Sequence, residues 1–205
     1  MRRLVIDCAT EACSVALFEQ GRLVAGTFEM LGRGHAERLV PMIGELPGSG
    51  QAEEIAVDLG PGSFTGIRVG LAAAKALALA WGATLIGYRS TALVAAMARA
   101  ERGPVALDVA MTGGHGEWFL EGFSPDARSH GEVRSLSPAD AAACSAAALV
   151  AGSQAEALVA RRESGIALPL WPDARRADLL PQWALSEPLA PVYGRAPDAR
   201  LPAVQ

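Results

Sequence analysis

The sequence is short of lysine. Lys75 is the only lysine among 18 basic residues, the rest being arginine, an imbalance that reads as genome composition before function. Basic charge is also scarce: the formal net charge is −4, with a pI near 5.4. This excludes the basic footprint of a stand-alone nucleic-acid binder, so any role near RNA would run through a partner. Three cysteines, Cys8, Cys13 and Cys144, are too few for a secreted disulfide framework. Cys8 and Cys13 read as free buried thiols rather than as a pair facing each other across a hairpin. The three histidines, His35, His115 and His130, have no mutual spacing that suggests a metal site, and no H-x-x-x-H, H-E-x-x-H or C-x-x-C occurs. No metal is therefore expected. Met1-Arg2-Arg3 leads straight into a strand with no long apolar segment behind it, so no signal peptide is expected. The apolar run after Gly66 is broken by Arg68 and Lys75 and is too short to span a bilayer comfortably. A cytoplasmic chain with no membrane association is the expectation.

What is present is an ordinary globular composition: 205 residues, 51% hydrophobic, 20% charged and only 5% aromatic. That suits one domain or two small lobes. Alanine and glycine carry much of the apolar content, so helices can pack closely.

The pattern predicts strands over Leu4–Asp7, Cys13–Glu19 and Arg22–Met30, with Gln20-Gly21 as a turn, an antiparallel meander. His35–Leu46 has helical spacing, Leu39, Met42, Ile43 and Leu46 sharing a stripe, and Pro41 predicts a kink or a late start. A strand, Glu54–Asp58, delivers the chain to a glycine-rich loop, and a helix follows over Phe64–Trp81. Ala83–Tyr88 and Thr91–Arg102 read as strand and helix. Beyond a boundary near Arg102–Pro104, strands are predicted over Pro104–Val109, Glu117–Phe123, Gly131–Leu136 and Ala147–Ala151. Met111–Gly116 reads as a flexible connector. A helix opens at Ser137-Pro138, another ends near Arg162, and a last one spans Asp173–Leu185, before an extended proline-rich tail from Ser186.

The loop and its helix, DLGPGSFTGIRVGLAAAKALA, hold the functional question. Gly60, Gly62 and Gly66 permit unusual backbone angles, and amides at a helix N-terminus favour an anion. The segment is neither a Walker A motif, whose lysine is missing, nor G-x-G-x-x-G. It reads either as a phosphate-binding loop or as a tight strand-to-helix turn in which Ser63 caps the helix. In the helix, Gly66, Gly70 and Ala74 stand four apart with Ile67, Leu71 and Ala78 beside them, a face that another helix can approach closely. The partner is the chain's own His35–Leu46 helix, a second copy, or a relative. Asp7, ending the first strand, is the best lone carboxylate, with no second one clearly placed to join it. No histidine pairs with Ser63 from sequence, and His35 reads as a helix-start or interface residue.

Four blocks occur in an order that resembles one family: IDCATEACSVAL (Ile6–Leu17), RGHAERLVPM (Arg33–Met42), GPGSFTGIRVG (Gly60–Gly70) and PVYGR (Pro191–Arg195). Together they resemble the TsaB (YeaZ) family, whose members serve the bacterial machinery that makes N6-threonylcarbamoyladenosine in tRNA. The resemblance implies an α/β, actin-like and Hsp70-like (ASKHA) fold of two lobes of mixed sheet flanked by helices. One lobe would be residues 1–102, the other the smaller and more divergent residues 103–205. It also implies a non-catalytic subunit that dimerises with TsaD, with homodimers on the same surface. The subunit TsaE would bind the assembly, and threonylcarbamoyl transfer to the adenosine beside the anticodon would take place on TsaD. Contact with tRNA would be indirect. In TsaD a histidine pair holds the metal; the corresponding stretch here, Gly87–Val94 (GYRSTALV), has no histidine. The implied interface pairs His35, Leu39, Met42 and Ile43 with Ile67, Gly70, Leu71, Ala74 and Ala78 of a partner's equivalent. Asp7, Gly60, Gly62, Ser63 and Gly66 would form a vestigial nucleotide or phosphate loop. No cofactor is required by the chain itself, with ATP or ADP confined to the partner interface. The alternatives are an independent ASKHA-type ATPase or phosphotransferase, and a glycoprotease-like hydrolase.

The sequence departs from the family pattern in four places, the first being a short loop, ELPGSGQAEE, between the first helix and the glycine strand, which implies a truncated helix. Asp58-Leu59 replaces the usual glycine-arginine, Cys8 stands where threonine is common, and DVAMTGGHGEWF replaces a shorter arginine-containing stretch.

Overall fold

A meander of three antiparallel strands opens the fold: β1 (Arg2–Asp7), β2 (Ala12–Glu19) and β3 (Arg22–Met30). Gln20 and Gly21 turn between the last two, both with positive φ, as a two-residue hairpin turn requires. The computed structural model describes residues 1–185 and 189–194. Helix α1 (His35–Gly44) follows, and then β4 (Glu54–Asp58), which pairs in parallel with β1. Helix α2 (Phe64–Trp81) crosses over to β5 (Thr84–Tyr88), parallel to β4, and α3 (Ser90–Arg102) leaves the sheet. The order is β3-β2-β1-β4-β5.

A second sheet is built from β6 (Leu107–Thr112), β7 (Trp118–Phe123), β8 (Arg134–Leu136), β9 (Leu149–Ala151) and β10 (Ile166–Leu168), in the order β10-β9-β6-β7-β8. Helices α4 (Pro138–Cys144) and α5 (Ala155–Arg162) cover its outer face.

The apolar periodicity sorts these elements into layers. Leu4, Ile6, Val15, Leu17, Ile55 and Val57 point from one face of the first sheet at α1 and α2. Val5, Ala16, Phe18 and Ala56 point from the other face at α3. Helix α3 lies between the two sheets, and only its last turn, residues 100–102, is exposed. Its Leu93 and Met97 belong to the core of the first sheet, and its Val94, Ala95 and Ala98 to that of the second, with Leu107, Val109 and Phe123. The result is the two-lobed actin-like plan, helices–sheet–helix–sheet–helices.

Several expectations change. Helix α1 ends at Gly44, because Pro47 opens a short 3-10 helix, Pro47–Gly50. It starts without delay at His35, and Pro41 lies inside it on the exposed side. Met111 and Thr112, expected in a flexible connector, complete β6. Asp173–Leu185 is not one helix but two 3-10 pieces, Ala174–Leu179 and Gln182–Ala184. Pro181, which has no N–H to donate, separates them. β10 went unpredicted because three residues carry no alternation to read. The expected tail falls partly on residues 186–188 and 195–205, outside the described residues, as does Arg195 of PVYGR.

The expected division at residue 102 separates the two sheets, but the chain then doubles back. Ala174 N–H donates to Ser14 Oγ (2.9 Å), and Val192 N–H to the Leu59 carbonyl (2.7 Å). The Tyr193 ring packs 4.7 Å from Phe64.

Close approach decides where α2 sits. A Cβ on Gly62 would stand 2.0 Å from the Ala9 carbonyl oxygen, one on Gly66 2.1 Å from that of Cys8, and one on Gly70 2.8 Å from Cys8 Sγ. The three glycines seat the helix on the backbone of the β1–β2 turn, where no methyl group fits. Gly66→Ala is expected to destabilise the fold by about 3 kcal/mol, because the obstacle is backbone and cannot rotate away. Urea unfolding reads this directly, and an unchanged midpoint would mean that α2 is not seated in this way.

Candidate functional site

The glycine loop is closed by the chain's own groups. Asp58 Oδ1 accepts from the Gly60 N–H (2.8 Å), the Ala9 carbonyl accepts from Ser63 N–H, and Ser63 Oγ caps the helix by accepting from Gly66 N–H (3.3 Å). The Ser90 hydroxyl ties the loop to α3, lying 2.7–2.8 Å from both Asp58 oxygens and 3.0 Å from the Pro61 carbonyl. Of the two sequence readings, the tight capped turn is the one formed. The amides of Gly60, Ser63 and Gly66 are thus engaged within the chain, and the carboxylate Asp58 underlies the loop while Arg68 lines the cleft beside it.

Asp7 is not alone. β1 and β4 run parallel with Ile6 opposite Val57, so Asp7 and Asp58 end adjacent strands side by side. Both are buried. Asp7 Oδ2 accepts from the Tyr88 hydroxyl (2.9 Å), while Oδ1 is buried with no donor. Burial, followed by the neighbouring Asp58, pushes the Asp7 carboxyl well above the usual carboxylate range. Burial pushes Asp58 up too, against the pull of its Ser90 and Gly60 hydrogen bonds. Sequence reading missed this partner, although both residues close apolar strands of the same sheet and that shared position was the available signal.

A further buried carboxylate lies between the lobes. Glu121 on β7 accepts from Arg89 Nη2 (2.8 Å), from the Thr91 hydroxyl and from the Ser129 hydroxyl (2.6 Å). The stretch Gly87–Val94 is thus taken up by internal ties, Ser90 to Asp58 and Arg89 and Thr91 to Glu121. Among the described residues no three His, Cys, Asp or Glu side chains converge as a metal site.

An open cleft of about 840 Å³ separates the lobes, lined by Thr10, Glu11, Ser63, Phe64 and Arg68 on one side and by Thr112–His115, Phe119 and Ser135 on the other. Arg68 lies over the Phe64 ring, 3.5 Å from its centroid. Asp7 does not line this cleft.

The predicted interface stripe is corrected most. Leu39, Met42, Ile43, Ile67, Leu71, Ala74, Gly70 and His35 are buried in the chain's own core, and Ala78 is half-buried against it. His35 sits at the start of α1 with Nε2 3.3 Å from the Ala12 carbonyl. The small-residue face is used by this chain's β1–β2 turn and sheet, leaving no room for a second helix. What α1 and α2 turn outward is the opposite side: Ala36, Glu37, Val40, Pro41 and Gly44 on one, Ala72, Lys75, Ala76, Leu79 and Ala80 on the other. Val40 is 63% exposed and Leu79 88%. By length and composition α2 could cross a membrane, yet it lies on the sheet with a third of it buried. Its outer side keeps few charges, chiefly Arg68 and Lys75.

A family model described as TsaD, tRNA N6-adenosine threonylcarbamoyltransferase, matches residues 29–169. The tRNA threonylcarbamoyladenosine biosynthesis protein TsaB of Escherichia coli K12 is 37% identical over 139 residues, 64% of this chain and 60% of that protein. Its Haemophilus influenzae counterpart is 44% identical over 80 residues, 37% of this chain and 34% of that protein. A Pseudomonas aeruginosa crystal structure, described as an uncharacterized protein with similarity to peptidase YEAZ, superposes with a TM-score of 0.72 at 30% identity, covering 87% of this chain and 88% of that one. The chain belongs to the TsaD family, on its TsaB (YeaZ) branch. Its match spans about 60% of the length of the E. coli TsaB and a third of the H. influenzae one.

Within this family the inner and outer sides of α2 separate cleanly by substitution. Gly70→Arg with Leu71→Glu is expected to unfold the chain, since both side chains would enter the core. Ala76→Arg on the outer side is expected to shift stability by no more than about 0.5 kcal/mol. Circular dichroism melts of the two variants provide the check.

Proposed function

We propose that the chain is a non-catalytic scaffold subunit of the machinery that makes threonylcarbamoyladenosine in tRNA, and that it works by pairing with TsaD. The observation that carries this is the outward side of α1 and α2. Two neighbouring helices present small apolar residues to solvent, with Leu79 and Val40 standing proud of them. An exposed apolar surface of this kind is costly unless something covers it. Alanine and glycine along both helices let a partner's helices come close, and the charges on this side, Glu37, Arg68 and Lys75, are few. Membership of a family that contains TsaD itself supports a related partner, since a paralogue presents the same two helices in the same layer.

In this reading threonylcarbamoyl transfer belongs to TsaD. This chain supports it by holding TsaD in a working arrangement. The internal hydrogen bonds of the glycine loop and the buried carboxylate pair below it favour a structural role for Asp7 and Asp58. ATP or ADP, where present, sits at the partner interface rather than in this loop. TsaE joins through the assembly, a homodimer forms on the same face when TsaD is absent, and tRNA contact is indirect, in keeping with a net charge of −4. The place of action is the cytoplasm, free of the membrane.

The test uses the outer-face pair Ala76→Arg and Leu79→Glu, both remote from the core. The wild-type chain is expected to co-elute with TsaD from the same organism at micromolar concentration and to be required for tRNA modification in the reconstituted system. The double variant, still folded, is expected to weaken the complex by about 100-fold or more, since charges placed in an apolar contact typically cost about 3 kcal/mol. Unchanged co-elution of the variant would overturn the assignment of this face, and full modification without the chain would overturn the scaffold role.

A further inference from the structure

The fold buries two carboxyl groups side by side and supplies no cation for them. Asp7 and Asp58 end adjacent parallel strands, and both are inaccessible to solvent. Among the described residues no arginine or lysine is bonded to either. Lys75 and Arg68 of α2 are exposed on its outer side. The nearest other carboxylate, Asp173, ahead of the 3-10 helix, is already paired with Arg175 (2.7 Å). From the β1–β2 turn the site is faced by the Cys8 thiol and from β2 by the Cys13 thiol, both pushed up by burial and kept uncharged. From β5 it is faced by the Tyr88 hydroxyl, also pushed up by burial, and from α3 by the Ser90 hydroxyl. Two adjacent negative charges in such surroundings would be prohibitive.

The hydrogen bonds distinguish the two groups. Asp58 accepts from the Gly60 amide and the Ser90 hydroxyl, donors that suit a carboxylate. Asp7 receives only the Tyr88 hydroxyl, on Oδ2, and its Oδ1 has no donor. A proton on that bare oxygen gives it a partner at once, because the two carboxyls then hydrogen-bond to each other.

We propose that Asp7 and Asp58 share one proton at neutral pH, Asp7 being the neutral acid and Asp58 the carboxylate, and that this proton is a structural component locking the ends of β1 and β4 under the glycine loop. The lock reaches the outer face of the protein, since Asp58 also holds Gly60 and Ser90, which fix the start of α2 and α3.

The linkage follows from proton counting. In the unfolded chain both carboxyls ionise near pH 4, so between there and the raised titration of the folded pair the native state holds one proton more. Stability therefore falls as pH rises, about tenfold in the folding constant per pH unit, and levels off once the pair has lost its proton. The opposite sign would hold for an ordinary ion-paired aspartate.

Two measurements test this, neither relying on activity. Carbon-13 NMR of the aspartate carboxyls in the intact wild-type chain at pH 7 is expected to show one protonated side chain. All aspartates ionised at that pH would overturn the proposal. Urea unfolding at pH 5.5 and 7.5 is expected to give a wild-type folding constant that falls up to about 100-fold further between the two pH values than that of Asp7→Asn, whose amide bonds to Asp58 without titrating. Equal slopes would overturn it, and if Asp7→Asn does not fold, the wild-type carboxyl spectrum decides alone.

Discussion

The contact on which the structure depends is that of α2 with the turn after β1. Three glycines at intervals of four residues, Gly62, Gly66 and Gly70, let the helix lie directly on the backbone of Cys8 and Ala9. Once it is seated there, much else follows. Ser63 reaches the Ala9 carbonyl, the loop folds over Asp58, and Asp58 meets Asp7. The inner side of the helix is spent on this contact. Whatever α2 does for a partner, it does with its other side.

The legible part of the fold was the part with period. The meander, the strand before the loop, α2 and α3 were all readable because their apolar residues alternate or recur along one face. The second lobe was less so. Its β8 and β9 are legible but read longer than they are, β10 is not legible, and the paired 3-10 helices near residue 180 mimic one helix until Pro181 interrupts them. For the site, the resemblance carried the family, while the choice of side was misjudged. A stripe of glycine and alanine signals close packing but not what packs. Here the closest neighbour was the chain itself. Asp58 was read as a lost positive charge, whereas parallel pairing makes it a gained partner for Asp7, information that lies in the register of two strands fifty residues apart.

The geometry also separates two uses of one architecture. A cleft between lobes, a glycine loop and a strand-end aspartate are the parts from which a phosphate site could be assembled. In this chain the cleft stays open, while the Gly60, Ser63 and Gly66 amides are bonded, the aspartate is buried, and the Gly87–Val94 stretch is tied to Asp58 and Glu121. Beside the cleft, the outer sides of α1 and α2 also present apolar residues to solvent.

Helix α3 has a consequence of its own. Leu93 and Met97 complete one core, and Val94, Ala95 and Ala98 the other, so neither sheet possesses a full interior without the same thirteen residues. Two lobes that share a wall cannot melt separately, and neither half of the gene would encode a soluble piece. Denaturation is then a single cooperative event, and strain felt at one lobe is registered by the other through a common rigid rod.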